Sequence, residues 1–448
     1  MKFLILFSLA FLLFCGTAKS QVYTYYVDSV AGVDTNAGTL ALPFKTLNAI
    51  PTLSPGNSVG LKKGSTFATS KLILWSDSGT SGNPITYGAY GSGANPIIDG
   101  TNTQTIAIQI GAPMHYITIQ DISVKNTTNY GIQVVNGADH IVLNRVASTN
   151  SWGSGIDIAG CGLQPCTNSN NIIVSNCTIS TANAGGTSSW NEGISMESVT
   201  TFSVTGCTVT GGGKEGIDAK YGSTAGVISG NTSTGNAGPN IYVDGSDHIQ
   251  VFNNIAGNPT NTAKPNILMG VEYAANANHN NLHDINVFHN VAYGGNSGIA
   301  FFVESGAGSY ANFTNINIDG NTFAGNHAGS GGGGVWLPGS NVGTGDTIRN
   351  NILFQNVSGG GKDIRDDATL RGSFSILNNF FGTSESTDTT GTNSTVAADP
   401  LLNGDYSLQV SSPARNHGVA IAGYSYSYGA PDIGAVNYYA QRGNTLTF

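Results

Sequence analysis

The amino-acid sequence predicts an all-β fold, a parallel β-helix (β-solenoid) formed by one chain of 448 residues. Three observations lead to this prediction. A short strand pattern centred on isoleucine recurs about every 24 residues, a second strand pattern ending in asparagine recurs between its copies, and no helical periodicity separates them. Strands this short bury an apolar face only when successive coils stack on one another, which is the organisation of a solenoid.

The first strand pattern consists of a small turn residue, an isoleucine and then alternating residues. It is clear in Gly131-Ile132-Gln133-Val134 and in Gly155-Ile156-Asp157-Ile158. The isoleucine recurs at positions 108, 132, 156, 194, 217 and 241. Because neighbouring residues of a strand point to opposite faces, we expect these isoleucines to fill the interior and the residue after each to point outward.

The second strand pattern ends at a column of asparagines. They are Asn231, Asn254, Asn290, Asn321, Asn351 and Asn379. Stacked amide side chains can hydrogen-bond along the axis, so this column is predicted to form a ladder. Cys177 and Cys207 hold the same place in their coils, and we expect both to be reduced and buried.

The N-terminus is typical of a secretory signal peptide. Residues 1–20 begin with Lys2, continue with an apolar stretch and end with small residues before Gln21. We therefore expect a protein secreted to the extracellular space or the periplasm. In that oxidising setting, Cys161 and Cys166 are predicted to close a short loop as a disulfide.

The rest of the chain divides into three predicted parts. We expect residues 21–105 to form an N-terminal cap with the first coils, 106–399 the parallel β-helix, and 400–448 a C-terminal closing segment. The regular coils are expected from about Ile106 to Phe380. A solenoid needs such end segments because its terminal coils would otherwise expose their apolar interior.

The charge composition argues against several kinds of partner. The chain has 17 Lys+Arg against 26 Asp+Glu, for a net charge of -9. This charge repels nucleic-acid phosphates and anionic membrane surfaces, and no segment after residue 20 resembles a membrane span. We expect a monomer without nucleic-acid or membrane partners. The same charge repels acidic polysaccharides unless a cation or a local basic group intervenes.

Short motifs near both ends of the mature chain resemble those of a known superfamily. They are Tyr25-Tyr26-Val27-Asp28, Pro43-Phe44-Lys45-Thr46-Leu47, Gly56-Asn57-Ser58-Val59, Ser412-Pro413-Ala414-Arg415-Asn416 and Asp432-Ile433-Gly434-Ala435. They resemble secreted right-handed parallel β-helix proteins of the pectate-lyase-like superfamily. The resemblance implies right-handed coils and an enzyme that acts on polysaccharide. It leaves the reaction open, because lyases, glycoside hydrolases and epimerases share this fold and the polygalacturonase and mannuronan epimerase motifs are absent.

The repeat also predicts an acidic cluster on the outside of neighbouring coils. The first outward column reads Gln133, Asp157, Ser195, Asp218, Tyr242, and the second reads Val135, Ala159, Glu197, Lys220, Asp244. Glu192, Glu215 and Glu272 lie just before or after these strands. Any one of them can be an ordinary solvated strand residue. Like charges on adjacent strands destabilise a sheet, however, so their accumulation around Lys220 indicates a bound cation, a shifted pKa or a function.

An insertion beside this cluster predicts a binding groove. The interval from Ile156 to Ile194 is 38 residues long, and Trp190 lies near its end. Tryptophan can stack on a sugar ring, although it can equally anchor a loop. We expect Trp190, Glu192, Tyr242 and Glu272 to contact substrate. The histidines at 279, 283 and 289 show no spacing typical of a zinc site, so none is predicted.

Three functions are compatible with the cluster. The first is β-elimination by a polysaccharide lyase, with Lys220 as base and with Ca²⁺ held by Asp157, Asp218 and Glu197. The carboxylates raise the pKa of that lysine unless the cation neutralises them. The second is a glycoside hydrolase that uses two carboxylates, and the third is a glycan-binding solenoid without catalysis. We expect the first, and the predicted catalytic group is Lys220, Asp218, Glu197, Asp244 and Glu215.

Overall fold

A computed structural model of the chain describes residues 21–160, 167–185, 191–272, 281–304, 312–326, 332–337, 345–357, 361–366, 374–382, 387–396, 398–420 and 430–435. Within these ranges the regular structure is almost entirely β-strand, with one 3-10 helix at Leu47–Ala49. The strands form three parallel sheets. The prediction of an all-β right-handed parallel β-helix is confirmed.

Each coil contributes one strand to each sheet in turn. The first sheet contains Tyr25–Val27, Ser58–Lys62, Ile85–Tyr90, His115–Gln120, Asp139–Asn144, Asn170–Ser175, Thr200–Thr205, Thr224–Ser229, Asp247–Phe252, Asn281–Phe288, Asn312–Asp319, Asp346–Arg349 and Phe374–Leu377. The second contains Thr66–Ala68, Ile97–Asp99, Ser123–Thr127, Ala147–Ser151, Thr178–Ser180, Thr208–Thr210, Thr232–Thr234, Ile255–Gly257, Val291–Tyr293, Thr322–Ala324, Ile352–Phe354 and Phe380–Phe381. The third contains Leu72–Leu74, Ile106–Ile110, Tyr130–Val134, Ile156–Ile158, Ile194–Glu197, Ile217–Lys220, Ile241–Asp244, Ile267–Val271, Ser297–Val303, Gly333–Leu337 and Lys362–Asp366.

The isoleucine anchors line the interior of the third sheet, as predicted. Ile156 pairs with Ile132 on one side and with Ile194 on the other, and Ile217 pairs with Ile241. All are fully buried. Burying one such side chain stabilises the fold by about 1.5–3 kcal/mol, so the repeat itself supplies the core.

The asparagine ladder is confirmed as well. From Asn231 to Asn351, each amide Nδ2 donates to the Oδ1 of the asparagine on the next coil, for example from Asn254 to Asn290 at 2.9 Å and from Asn290 to Asn321 at 3.0 Å. The backbone N–H of Cys207 donates to Asn231 Oδ1 at 2.8 Å, so the cysteines do continue this column. Cys177 and Cys207 are free and buried, as expected. The predicted Cys161–Cys166 disulfide lies outside the described residues.

The coils begin earlier than the isoleucine pattern indicated. Strands Ser58–Lys62, Thr66–Ala68 and Leu72–Leu74 already belong to the three sheets, so regular coils start near residue 58 and not near Ile106. The pattern missed them because their inward positions carry residues other than isoleucine, such as Phe67. The last strand, Phe380–Phe381, lies where the end of the coils was predicted.

No helix in the described ranges has the length and apolarity needed to cross a bilayer. The predicted signal peptide, residues 1–20, lies outside those ranges, so secretion stays a prediction.

Candidate functional site

The third sheet brings the predicted outward columns into register. Asp157 pairs with Ser195, Ser195 with Asp218, and Asp218 with Tyr242 along one column. Glu197 pairs with Lys220 along the other. This agreement follows from parallel pairing, in which equal positions of successive coils stack directly on one another.

These outward side chains are nevertheless buried. Lys220 is 3% exposed, Asp218 2% and Asp244 5%. Glu197 and Glu272 are the predicted site residues that keep intermediate exposure within the described ranges, and the Glu197 side chain is 21% exposed. The alternative of solvated strand positions therefore does not apply to most of the cluster.

The Lys220 ammonium lies at the centre of three carboxylates. Its Nζ is 2.6 Å from Glu192 Oε1, 3.4 Å from Glu197 Oε1 and 3.9 Å from Asp218 Oδ2. Glu192, which was expected to contact substrate, is thus the nearest counter-ion of the lysine. Glu192 lies two residues before the Ile194 anchor, and its side chain reaches Lys220 in the strand of the next coil, Ile217–Lys220.

A second carboxylate pair lies further along the same face. Tyr242 donates its hydroxyl to Glu272 Oε1 at 3.0 Å, and the backbone N–H of Glu272 donates to Asp244 Oδ1 at 3.1 Å. Burial raises the pKa of Asp244 well above its usual value, and the charge of Glu272 raises it further. Burial raises the pKa of Glu272 too. Both groups therefore favour the protonated form more than a solvated carboxyl does.

Asp157 stands apart from the ammonium. Its Oδ2 accepts from Gln133 Nε2 at 2.9 Å, and Gln133 in turn accepts from Gln109 at 2.7 Å. Burial, aided by the charge of Glu197, raises the pKa of Asp157 to about 8. Asp157 thus ends a ladder of amides on the earlier coils and is held largely as a neutral acid.

The electrostatics of the centre favour a retained ammonium with partly protonated carboxyls. Burial alone would lower the pKa of Lys220, but Glu192, Asp218 and Glu197 outweigh it and hold that pKa well above its usual value. Burial raises the pKa of Glu192 to about 7 against the opposing effect of Lys220, and it raises the pKa of Asp218 well above the usual range. One positive charge is insufficient to keep every neighbouring carboxyl ionised in a low-dielectric site.

Three carboxyl oxygens of the cluster have no hydrogen-bond partner among the residues that the structure describes. They are Glu192 Oε2, Glu215 Oε2 and Asp218 Oδ1, all on neighbouring coils. A buried oxygen without a donor costs free energy, about 1–3 kcal/mol or more when charged. A proton, a substrate hydroxyl or a cation can meet that need.

The residues predicted to hold calcium do not fit that ion. Asp157 is bonded to Gln133, whereas Glu197 and Asp218 face the Lys220 ammonium, which repels a second cation. Ca²⁺ takes six to eight oxygen ligands, yet no three carboxylates of this cluster bring oxygens within 4.8 Å of one another in the described part of the chain. Calcium binding at this cluster stays a prediction.

Tyr130 belongs to the site but was not predicted. It precedes the Ile132 anchor by two residues, the same place that Glu192 and Glu215 hold in their coils. Burial raises its pKa to about 12, with smaller contributions from Asp157 and Glu197. The shared position was the signal that could have identified it.

Trp190, by contrast, lies outside the described residues, so its substrate contact stays a prediction.

An apolar groove lies elsewhere, on the outer face of the first sheet. It has a volume of about 460 Å³ and is lined by residues such as Tyr116, His140 and Phe202, with no carboxylate among them. The cavity and the cluster of ionisable groups are therefore different places on the solenoid.

Comparisons with known proteins agree with the fold. The family model described as "Pel9A-like, right handed beta helix region" matches residues 25–188. The match ends before Glu192, so Asp157 is the one predicted site residue that it includes. Lacto-N-biosidase from Bifidobacterium longum subsp. longum is 41% identical over 80 residues, which are 17% of this chain and only 5% of that protein.

Two solved structures show the same architecture over most of the chain. Pectate lyase Pel9A superposes with a TM-score of 0.55 at 16% identity, covering 92% of this chain and 96% of that one. The GH136 lacto-N-biosidase from Eubacterium ramulus superposes with a TM-score of 0.50 at 17% identity, covering 84% of this chain and 68% of that one. At these identities the likeness establishes the fold alone. The predicted resemblance in fold to right-handed parallel β-helix proteins is confirmed.

Proposed function

We propose that this chain is a carbohydrate-active enzyme that hydrolyses glycosidic bonds of an uncharged glycan at the carboxylate cluster around Lys220. The observation that carries the proposal is the contact of one buried ammonium with three carboxyl groups. The names of the similar proteins, a pectate lyase and two lacto-N-biosidases, support an enzyme of this general class without deciding the reaction.

Lys220 is poorly suited to be a base. A general base must release its proton near the working pH, but the carboxylates around Lys220 hold its pKa well above the usual value. The sequence predicts a lysine base assisted by calcium, but the Lys220 ammonium lies where Glu197 and Asp218 would have to bind the ion. Elimination at Lys220 would need the neighbouring carboxyls to be neutralised in some other way.

Glu197 and Asp218 are close enough together to act as the two carboxyl groups of a glycoside hydrolase. Both face the same ammonium, at 3.4 and 3.9 Å, so their oxygens are no further apart than the sum of those distances. The two carboxyl groups of a glycosidase are at most about 9.5 Å apart, and the separation of Glu197 and Asp218 is smaller than that. Asp218, with its raised pKa, acts as the acid that protonates the departing oxygen, and Glu197 either attacks the sugar or takes a proton from the attacking water.

The burial of Asp218 adds a requirement. Its side chain is 3% exposed, so the residues above it must move before a sugar can reach it. Glu197 is the partly exposed member of the pair and makes the first contact in this scheme. An uncharged glycan suits the site, because the acidic groups near Lys220 and the net charge of -9 would repel a uronate chain.

Product analysis after incubation with a panel of neutral and acidic polysaccharides tests the function. We expect new reducing ends from a neutral glycan without the ultraviolet absorbance of an unsaturated sugar. Glu197→Gln and Asp218→Asn should lower the rate by about 10²–10⁴-fold. Asp121→Asn is the control, because Asp121 pairs with Arg145 on the first sheet. Unsaturated products would establish the lyase instead, and binding without cleavage would establish a glycan-binding solenoid.

A further inference from the structure

A second group of ionisable side chains lies on the first sheet, away from the Lys220 cluster. It consists of Asp247 and His248 on one coil and His283 and Asp284 on the next. Asp247 pairs with His283 in the sheet register. The order is Asp-His on the first coil and His-Asp on the second. Each histidine therefore has one aspartate next to it in its own strand and another opposite it in the neighbouring strand.

Hydrogen bonds fix which atoms of this group face one another. His248 Nδ1 is 2.6 Å from Asp247 Oδ1, and Thr224 donates its hydroxyl to the same oxygen at 2.5 Å. With its proton on Nδ1, His248 turns the lone pair of Nε2 toward Asp284 Oδ2, 3.5 Å away. His283 Nδ1 approaches that same oxygen at 2.8 Å.

The carboxylate of Asp284 is held in place from its other side. Asn315 Nδ2 donates to Asp284 Oδ1 at 2.5 Å, which leaves Oδ2 for the two imidazoles. His283 Nδ1 either donates its own proton to Oδ2 or, in the other tautomer, presents a lone pair there. In the second case two nitrogen lone pairs and a carboxylate oxygen converge on one point, which a metal cation can occupy.

We propose that His248 Nε2, His283 Nδ1 and Asp284 Oδ2 bind a divalent transition metal of the zinc or copper type. These three residues each offer a ligand atom that lies within 4.8 Å of the other two. Tetrahedral zinc with bonds of about 2.0–2.2 Å places its ligands about 3.3–3.5 Å apart, and the distances of 2.8 and 3.5 Å bracket those values. Two imidazoles favour such a metal over calcium or magnesium.

The surroundings resemble those of protein metal sites in two further respects. Asp247 accepts from the far nitrogen of His248, as carboxylates commonly do for metal-bound histidines, and Asn315 orients the Asp284 carboxylate. The His248 side chain is 59% exposed, so a fourth coordination position is open to water. The sequence did not predict this site because its ligands come from two coils whose separation depends on an intervening insertion.

The chain contains a matched control four coils earlier on the same sheet. Asp139 and His140 repeat the Asp-His order with the same 2.6 Å contact, and His115 lies in register with Asp139. There, however, the His140 ring stacks on Tyr116 with ring centroids 4.3 Å apart, and His115 Nδ1 faces the carbonyl of Pro113. No three ligand atoms of this group converge within 4.8 Å in the described structure.

Calorimetric titration of Zn²⁺ into chelator-treated, tag-free full chain tests the site. We expect one equivalent to bind, and His283→Gln or Asp284→Asn to weaken it at least about tenfold. Asp247→Asn should weaken binding about 10–100-fold through the loss of the support to His248. His140→Gln should bind as the wild type does.

Copper provides an independent readout that needs no variant. The electron paramagnetic resonance spectrum of one equivalent of Cu²⁺ on the wild type should show coupling to two imidazole nitrogens, and His283→Gln should reduce it to one. The proposal is overturned if wild type shows no saturable Zn²⁺ binding and no two-nitrogen Cu²⁺ spectrum. It is equally overturned if His140→Gln weakens binding as much as His283→Gln.

Discussion

Lys220 forms a buried ion pair with Glu192 at the centre of the candidate site. Its ammonium contacts Glu192 at 2.6 Å, and both side chains are at least 96% buried. Buried ion pairs contribute little net stability compared with apolar residues, but removal of one partner leaves an uncompensated charge that costs about 3–5 kcal/mol. Because the pair is almost inaccessible to water, loss of the Lys220 charge should destabilise the fold far more than loss of an exposed ion pair.

Substitution of Lys220 by arginine separates a base from a fixed cation. Arginine keeps the positive charge but cannot release a proton in a protein, so a lysine base would be lost completely. If the ammonium only neutralises Glu192, Glu197 and Asp218, we expect Lys220→Arg to keep at least a tenth of the wild-type activity, whereas Lys220→Met loses both activity and stability. Initial rates and melting temperatures of the two variants should be measured together. Loss of all activity in a well-folded Lys220→Arg would favour elimination.

The residues of the cluster were predictable, but their state was not. Parallel pairing makes the partners of Asp218 and Glu197 readable from the 23- or 24-residue spacing of the anchors. The burial of these carboxyl groups depends on the loops and side chains that pack over the third sheet. The spacing of residues within the repeat does not predict that packing. The pKa values of Asp157 and Glu192 follow from that burial, so the sequence could place these carboxyls together but could not predict that they retain protons.

Among the structural elements, the asparagine ladder should contribute measurably to the cohesion between coils. Asn321 is fully buried, accepts from Asn290, and donates to the Val287 carbonyl at 2.9 Å and to Asn351 Oδ1 at 3.0 Å. We expect Asn321→Ala to lower the free energy of unfolding by about 2–4 kcal/mol, because several buried backbone and side-chain groups lose their partner. Urea unfolding followed by circular dichroism measures the change.

The control for this prediction lies on the outer side of a neighbouring strand. Asn317 is partly exposed and donates to Asn286, so water can replace its bond, and Asn317→Ala should cost less than about 1 kcal/mol. Equal losses for both substitutions would mean that the ladder has no special role.

The ladder was predictable because its period is strict. A second one, in which Asn240 donates to Asn266 and Asn266 to Asn326, was missed because its members lie in turns with irregular spacing.

For the whole molecule, the solenoid makes stability depend on contacts between successive coils. Each coil contacts only the coil before it and the coil after it, through the three sheets. Charged residues at equal positions of successive coils therefore lie directly beside one another along the axis. Acidic residues stacked in this way place repulsion and desolvation in the middle of the molecule. The overall fold could be predicted from the period alone, whereas this energetic cost requires the packed structure.

The cost should appear as a pH dependence of stability. The pKa of Asp157 is about 8 in the folded chain against an ordinary value of 3.8, so between these two values the unfolded chain has released a proton that the folded chain still holds. Under those conditions stability falls as pH rises. We expect wild type to lose stability relative to Asp157→Asn from pH 5 to pH 8, because asparagine keeps a neutral hydrogen-bonding side chain beside Gln133 and has no proton to release. Asp121→Asn, on the first sheet, should keep the wild-type slope. Urea unfolding of the three proteins at several pH values measures the difference, and parallel curves for wild type and Asp157→Asn would show that Asp157 is ionised in the folded protein.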